Sequence, residues 1–489
     1  MPRIAIAAPH GAGVEAARAI VERGGNALDA ALAAAAALTV VYPHQCAVGG
    51  DLVALVRPPG GPVRAVLSIG AAARALDVEV LRAAGERMPP GGPLTVTVPG
   101  VVAGWAAVHG LGARLGLAAL LAPAVALAER GVPVSPGLAR AVAARVEVVR
   151  ADPGLSALLL DGGRPRDVLH QPALAATLSA IGKDWRSFYT GPVVEGLARL
   201  GSPLTAADLA SHEAELAEPL RRRALGASWS VAPPPTQGAS LLAVLTSDGS
   251  PLVAARRAER RRDALLGDPR CGPVDLEALL GSDTDVAALA PGPKPAGDTV
   301  AVTAVGADGT AVALIQSVFQ SFGAGLLEPG TGVVLHNRGS AFSLDPAHPG
   351  VARPGARPPH TLCPALAEHE GDLVALGCQG GRAQAWILSQ VAADLLAAAD
   401  PGAVLARPRW VIGSRDLGHP VPTLVLEPGV PRAAELERTA AELDLAVVHE
   451  PGLHDDAGHV QVARLAGGRL AAATDLRADG AAAVLECSS

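Results

Sequence analysis

Gly297-Asp298-Thr299-Val300-Ala301-Val302-Thr303-Ala304-Val305, followed by Asp308-Gly309 and then Thr310-Ala311-Val312-Ala313-Leu314-Ile315-Gln316-Ser317-Val318, is the stretch on which the fold turns. Valines alternate with smaller residues, and Asp308-Gly309 is a hairpin turn signal. Two paired strands over 299–305 and 310–318 are therefore predicted. Before them lies 246–297, which carries Arg256, Arg257, Arg260, Arg261 and Arg262 and closes on Pro291-Gly292-Pro293-Lys294-Pro295-Ala296-Gly297. Prolines remove backbone donors, so this stretch reads as an exposed linker and a place for a chain break. The arginine run reads as a solvated helix face.

Asp298-Thr299 stands where linker meets strand. A threonine hydroxyl is a weak nucleophile until the chain is cut before it. The new α-amine then acts as its base, with a reference pKa of roughly 7.7–8.0. Most threonines that begin strands are structural, and the pair alone leaves that reading open. A second candidate is Gly377-Cys378-Gln379-Gly380-Gly381, between a strand and a helix. Backbone N–H groups in such a turn can hold an oxyanion, although plain strand-to-helix turns share this composition.

Composition narrows the classes. The chain has 489 residues, 49% hydrophobic and 18% charged, which is enough apolar material for a large core. Trp 5, Tyr 2, Phe 4 and a net charge of −7 argue against nucleic-acid binding. Of the 40 basic residues only Lys183 and Lys294 are lysines, which suggests biased coding. The cysteines Cys46, Cys271, Cys363, Cys378 and Cys487 show no C-x-x-C spacing, so neither a disulfide framework nor a zinc site is expected. No signal peptide or membrane span is read, and a cytoplasmic protein is expected. G-x-S-x-G, G-x-x-x-x-G-K and H-E-x-x-H motifs are absent. No metal or other cofactor is called for.

Residues 11–41 read as a helix pair broken at Gly24-Gly25, with Asn26 capping the second helix. Residues 52–56 read as a buried strand, and 85–104 as a loop, with Pro89-Pro90-Gly91-Gly92, entering a short strand over 94–100. The stretch 115–245 reads as mostly helical. Residues 361–378 suggest another strand pair around Glu370-Gly371-Asp372, and 383–399 a helix. Helices first and strands later suggest layered α/β packing, a two-sheet core covered by helices.

The residues then match a known pattern. Gly24-Gly25-Asn26-Ala27-Leu28-Asp29-Ala30-Ala31, Pro43-His44, Val48-Gly49-Gly50-Asp51 and Thr97-Val98-Pro99-Gly100 with Gly104-Trp105 come first. Gly297-Asp298-Thr299-Val300, Phe322-Gly323-Ala324-Gly325, Leu335-His336-Asn337-Arg338-Gly339, Arg357-Pro358-Pro359-His360-Thr361 and Gly380-Gly381 follow in order. In these the chain resembles the γ-glutamyltransferase (γ-glutamyltranspeptidase) family of N-terminal-nucleophile hydrolases over nearly its whole length. Both of its asparagines, Asn26 and Asn337, fall in these motifs.

The resemblance implies an α/β (α+β) fold, a four-layer αββα sandwich. It implies a proenzyme that cuts itself between Asp298 and Thr299, giving a large fragment 1–298 and a small fragment 299–489 that stay together in one unit. Thr299 would attack an amide, form an acyl-enzyme and pass the acyl group to water or an amine. Gly380 and Gly381 match the oxyanion glycines, and Ser317 a hydroxyl that supports the nucleophile. Asn337, Arg338, His360 and Thr361 fall in the substrate-binding motifs. The partner implied is a small-molecule amide or γ-glutamyl-type substrate, with neither nucleic acid nor membrane; a homo-oligomer stays open.

The chain departs from classical members at the substrate clamp. Leu67-Ser68-Ile69-Gly70-Ala71-Ala72-Ala73 lacks the aligned arginine, with Arg74 nearby. Phe319 stands at an asparagine position, Ala341 at an aspartate, and His360-Thr361 at two serines. The motifs around Arg338 and His360 look more like the bacterial γ-glutamyltransferase-like subgroup with oxamate amidohydrolase-type enzymes, which argues against glutathione. Two alternatives stay open: a degenerate or unprocessed relative acting as a binding protein, and an acylase for a non-γ-glutamyl amide.

Overall fold

The computed structural model describes residues 3–281, 297–414 and 417–486; for Gly297 and Asp298 it describes the backbone alone. Two sheets form the centre. In the first, seven strands run in the order Ala481–Glu486, Arg3–Ala8, Gly297–Gly306, Ala311–Gln320, Asp51–Arg57, Arg64–Ser68 and Glu215–Ala217. In the second, six strands run in the order Arg469–Thr474, Val460–Ala466, Asp372–Cys378, Ala365–His369, Ala227–Val231 and Leu220–Ala224.

Side-chain alternation assigns each face. Ala301, Ala313, Ile315, Val53 and Leu55 point inward and meet Leu366, Leu373 and Ala375 of the second sheet. Val300, Val302, Val312 and Leu314 point outward onto a helical layer that includes Ala27–Val41 and Leu117–Arg130. The outer face of the second sheet packs on Gly238–Leu245, Pro251–Leu265 and Gln384–Ala397. Helix, sheet, sheet, helix is the expected αββα sandwich.

Local chemistry explains the central helix. Asn26 Oδ1 accepts from Leu28 N and Asp29 N, while Asp29 Oδ2 accepts from Asn26 N, a complete capping box. Every residue of Ala27–Val41 is buried, and its alanines let it lie close on the first sheet.

Several expectations need correction. The strand read at 52–56 forms as Asp51–Arg57, but the first half of the chain also supplies strands at Arg3–Ala8 and Arg64–Ser68, so it is less helical than expected. Three more strands, from Glu215 to Val231, lie within the stretch read as helical. The strand expected near 94–100 does not form. Pro93–Thr95 is a single 3-10 turn, and Val98 N donates instead to Ala71 O. A Cβ on Gly70 would lie 1.6 Å from Val98 O, so only glycine permits that backbone approach. Of the stretch 246–297 read as an exposed linker, 282–296 lies outside the described residues, while Pro251–Leu265 and Leu276–Leu280 are helices that bury Leu252, Ala255, Ala258 and Leu279, so the described part is not an exposed linker.

The arginine run is only in part a solvated face: Arg257 is exposed and Arg256 and Arg260 are half-buried. Pro251–Leu265 is a helix in which Glu259, Arg261 and Arg262 are buried. Arg262 pairs with Asp263 at 3.0 Å and donates to Gln237 Oε1 at 2.9 Å and Arg382 O at 2.7 Å. Burying so many guanidinium donors requires acceptors on all sides, and the carbonyl of Arg382 and the amide of Gln237 supply them. Among the cysteines, Cys46, Cys363 and Cys378 are buried free thiols, and Cys271 is exposed; Cys487 lies outside the described residues. Burial pushes the Cys378 thiol well above its ordinary value, so it stays a thiol.

Candidate active site

Thr299 is placed by a fault in the strand ladder. Asp298 pairs with Phe319 and Val300 with Gln316, so Ser317 and Val318 together face Thr299 across a β-bulge. Thr299 Oγ1 donates to Ser317 Oγ at 3.0 Å. Ser317 Oγ also accepts from Phe319 N at 2.8 Å, which fixes its lone pairs. One strand further, Ser317 pairs with Asp51. The Ser317 and Asp51 side chains therefore share the inward face with Thr299 alongside, at one end of the layer between the sheets.

Gly380-Gly381 closes the opposite side. The strand Asp372–Cys378 ends here, and the Gly381–Ala383 turn packs on the Thr299 strand before the helix Gln384–Ala397 begins. Gly380 has φ 148° and Gly381 φ 49°, both in the left-handed region that glycine tolerates. Gln379 N donates to His459 O at 3.3 Å, and Ala383 N to Gly380 O at 2.8 Å, which pins the turn on both sides. Gln237 Nε2 donates to Gly381 O at 2.9 Å and also to Thr361 O. Arg262, Gln237 and Gly381 thus form one chain of hydrogen bonds, from a buried helix to the turn.

The third part is a buried charge cluster. Asp51, His336, Arg338 and His360 have fully buried side chains. His360 Nε2 lies 3.2 Å from Asp51 Oδ2. His336 Nδ1 and Arg338 Nε lie 3.3 and 3.6 Å from the same oxygen, without hydrogen-bond alignment. Asp51 Oδ1 accepts from Gly70 N at 3.1 Å. Burial alone would raise the Asp51 pKa; the His336 and His360 imidazoles outweigh it and hold the carboxyl far below its ordinary range. Burial, then the Arg338 charge, lowers His360 to about 3, against the pull of Asp51. Burial lowers Arg338 to about 9, opposed by Asp51, so it stays a cation at neutral pH.

Arg338 Nη1 donates to Thr361 Oγ1 at 3.2 Å, and the Phe319 ring lies over the guanidinium, 3.9 Å from its centroid. Arg338 Nη2 has no hydrogen-bond partner among the described residues. A cavity of about 340 Å³ opens beside this cluster, lined by Phe319, Ala341, His360, Thr361, Arg262 and Arg382 among others.

The sequence-predicted residues are thus brought together in part. Thr299 meets Ser317, and Arg338 meets Thr361 and neighbours His360 through Asp51. Asn337 faces elsewhere: its Oδ1 accepts from Gln320 N at 3.1 Å and its Nδ2 donates to Pro90 O at 2.7 Å, so its amide braces two loops. Arg74 lies over Asp208 and Ser211, beside a different cavity of about 250 Å³. From sequence, Asp51 and His336 enter only as members of motifs, Arg262 only as part of the arginine run, and Gln237 not at all. A lone carboxylate between Gly49-Gly50 and an apolar strand is the signal that marks Asp51; nothing comparable marks Gln237.

A family model for Gamma-glutamyltranspeptidase matches residues 13–248 and 252–485. The chain belongs to this family. It is 37% identical to an oxamate amidohydrolase proenzyme of Klebsiella pneumoniae, over 97% of this chain and 97% of that one. It is 32% identical to a glutathione hydrolase-like YwrD proenzyme of Bacillus subtilis, over 83% of this chain and 85% of that one. The structure is similar to a cephalosporin acylase from Bacillus halodurans, with a TM-score of 0.87 and 29% identity over 99% of this chain and 96% of that one. This γ-glutamyltranspeptidase-family chain is therefore an N-terminal-nucleophile enzyme of amide hydrolysis or transfer. No described helix is long and apolar enough to cross a membrane.

Proposed function

We propose that this chain is a self-processing threonine amidohydrolase whose substrate carries a carboxylate on its acyl part. In processing, Thr299 Oγ1 attacks the Asp298 carbonyl carbon and the Asp298–Thr299 C–N bond breaks. The resulting ester is hydrolysed by water, leaving the Asp298 carboxylate and a free Thr299 α-amine. The fragments 1–298 and 299–489 stay together, because strands from both sides of the cut lie within each sheet.

In turnover the α-amine takes the Oγ1 proton as the hydroxyl attacks the amide carbonyl. Ser317 orients that hydroxyl, and the N–H groups at Gly380 and Gly381 receive the oxyanion. The proton passes to the leaving amine as the C–N bond breaks, and water or a second amine then resolves the ester. The hydrogen bond between Thr299 and Ser317 carries this reading.

Arg338 supports an anionic acyl group: it is a buried cation with an unpartnered Nη2. Phe319 covers it and lines the cavity, so a carboxylate reaches Arg338 only with that ring displaced. The oxamate named for the Klebsiella relative is such an acyl donor. His360 and Thr361 border the same space. Free buried thiols suit a reducing cytoplasmic setting.

The test is ammonia release from oxamate and from pyruvamide, its neutral counterpart with a methyl group in place of the carboxylate oxygen. Wild-type protein should prefer oxamate, and Thr299→Ala should release nothing above background. Equal release by Thr299→Ala would remove Thr299 from the reaction.

A further inference from the structure

Asp51 is the point at which the departures from a glutathione-type clamp converge. One fully buried carboxylate meets His360 at 3.2 Å, His336 at 3.3 Å, Arg338 at 3.6 Å and the Gly70 amide at 3.1 Å. It joins segments far apart in sequence, and its own strand pairs with Ser317 beside the nucleophile. A carboxylate so deeply buried costs stability unless every neighbour compensates it. Plain core packing would favour an apolar residue at this position. His360 borders the cavity, Arg338 is bonded to Thr361, which borders it too, and both His360 and Arg338 meet the same Oδ2 atom.

We infer that Asp51 is a positioning residue that holds Arg338 and His360 in place and through them sets the preference for a carboxylate-bearing acyl group. The inference rests on the proposed function. Without the Asp51 charge, Arg338 loses its only acidic neighbour among the described salt bridges and keeps one hydrogen bond, to Thr361. A guanidinium held by one end no longer presents a fixed fork, and fork geometry is what separates arginine from a mobile cation. Asp51 also leaves His360 Nε2 as the donor, since His360 Nδ1 accepts from Leu362 N at 3.3 Å.

The test compares kcat and KM for oxamate and pyruvamide in wild-type and Asp51→Asn protein, both checked for self-cleavage by mass. Asparagine keeps the shape and removes the charge. The ratio of kcat/KM for oxamate over pyruvamide should fall by about tenfold or more, the scale of one charge-assisted contact. The loss should appear in KM for oxamate, with a smaller loss of kcat/KM for pyruvamide. An unchanged ratio, or an equal loss on both amides, would overturn the inference and leave the threonine mechanism standing. Wild-type protein that does not discriminate between the two amides overturns the anionic-substrate reading together with the inference. If Asp51→Asn does not accumulate in soluble form, Asp51→Glu carries the same reading, because it keeps the charge and shifts the carboxylate that Arg338 and His360 both meet. Its ratio should fall likewise, and an unchanged ratio overturns the inference.

Discussion

Thr299 Oγ1 and Ser317 Oγ share a 3.0 Å hydrogen bond across a β-bulge, inside the layer where the two sheets meet. The bulge sets Thr299 out of the ladder, and Ser317 aims its hydroxyl. Ser317→Ala should therefore slow both self-cleavage and turnover, by about 10–100-fold, the usual scale of one orienting hydrogen bond in a reacting network. Ser317→Thr keeps the hydroxyl and should restore most of the rate. Gel mobility over time and steady-state ammonia release read the two steps.

Gly380 is the more testable of the turn glycines. A Cβ there would lie 2.5 Å from Ile387 Cδ1, the flexible end of a side chain, and the backbone has φ 148°. Alanine strains the turn more than it disturbs the core. Gly380→Ala should lower kcat by about 10²–10³-fold, as loss of an oxyanion donor does. The protein should still be recovered soluble and folded, as judged by circular dichroism.

The buried Arg262 links stability to catalysis. Arg262→Met removes a cation that Asp263, Gln237 and the Arg382 carbonyl all contact. Asp263 keeps Arg382 as its partner, so the cost is that of the lost charged hydrogen bonds to Gln237 and the Arg382 carbonyl, about 1.5–3 kcal/mol each. The urea midpoint should fall accordingly. Because Gln237 holds both Gly381 and Thr361, kcat should fall as well.

Acid should destabilise the fold before the carboxylates protonate. Burial lowers His44 to about 3, His360 to about 3 and His212 to about 4, against an unfolded value near 6.5. The unfolded chain thus binds more protons below pH 6.5, and stability falls as pH falls from there towards 4. Each histidine contributes a slope of about 1.4 kcal/mol per pH unit in that window. Asp51, held far below its ordinary range, adds a further loss only below about pH 4. Urea titrations from pH 7 to 4.5 should show this slope, and His44→Gln should reduce it.

Much of the fold was legible because local rules and tertiary packing agree. Asn26 caps a helix, Asp308-Gly309 turns a hairpin, and the valines around Thr299 alternate as a buried strand requires. At Gly380-Gly381 the glycines mark a strand-to-helix turn that does form, at φ 148° and 49°. The site was not legible where charge is buried. Arg262 reads as solvent-facing because sequence shows the charge and hides its acceptors, which lie 25 residues away in Gln237 and 120 residues away in Arg382. Asp51 was visible only as part of a glycine motif, because its partners gather from segments far along the chain. The strands at 215–231 were missed because arginines on the outer strand, Leu220–Ala224, break the apolar alternation.

The central claim is that Thr299 becomes the N-terminal nucleophile of its own chain. Intact-mass measurement of the purified protein during incubation at neutral pH tests it directly. The account predicts conversion of the full chain into fragments 1–298 and 299–489, with Thr299→Ala remaining whole. A wild-type chain that stays at full mass while hydrolysing an amide, or a cut at any other peptide bond, would contradict it.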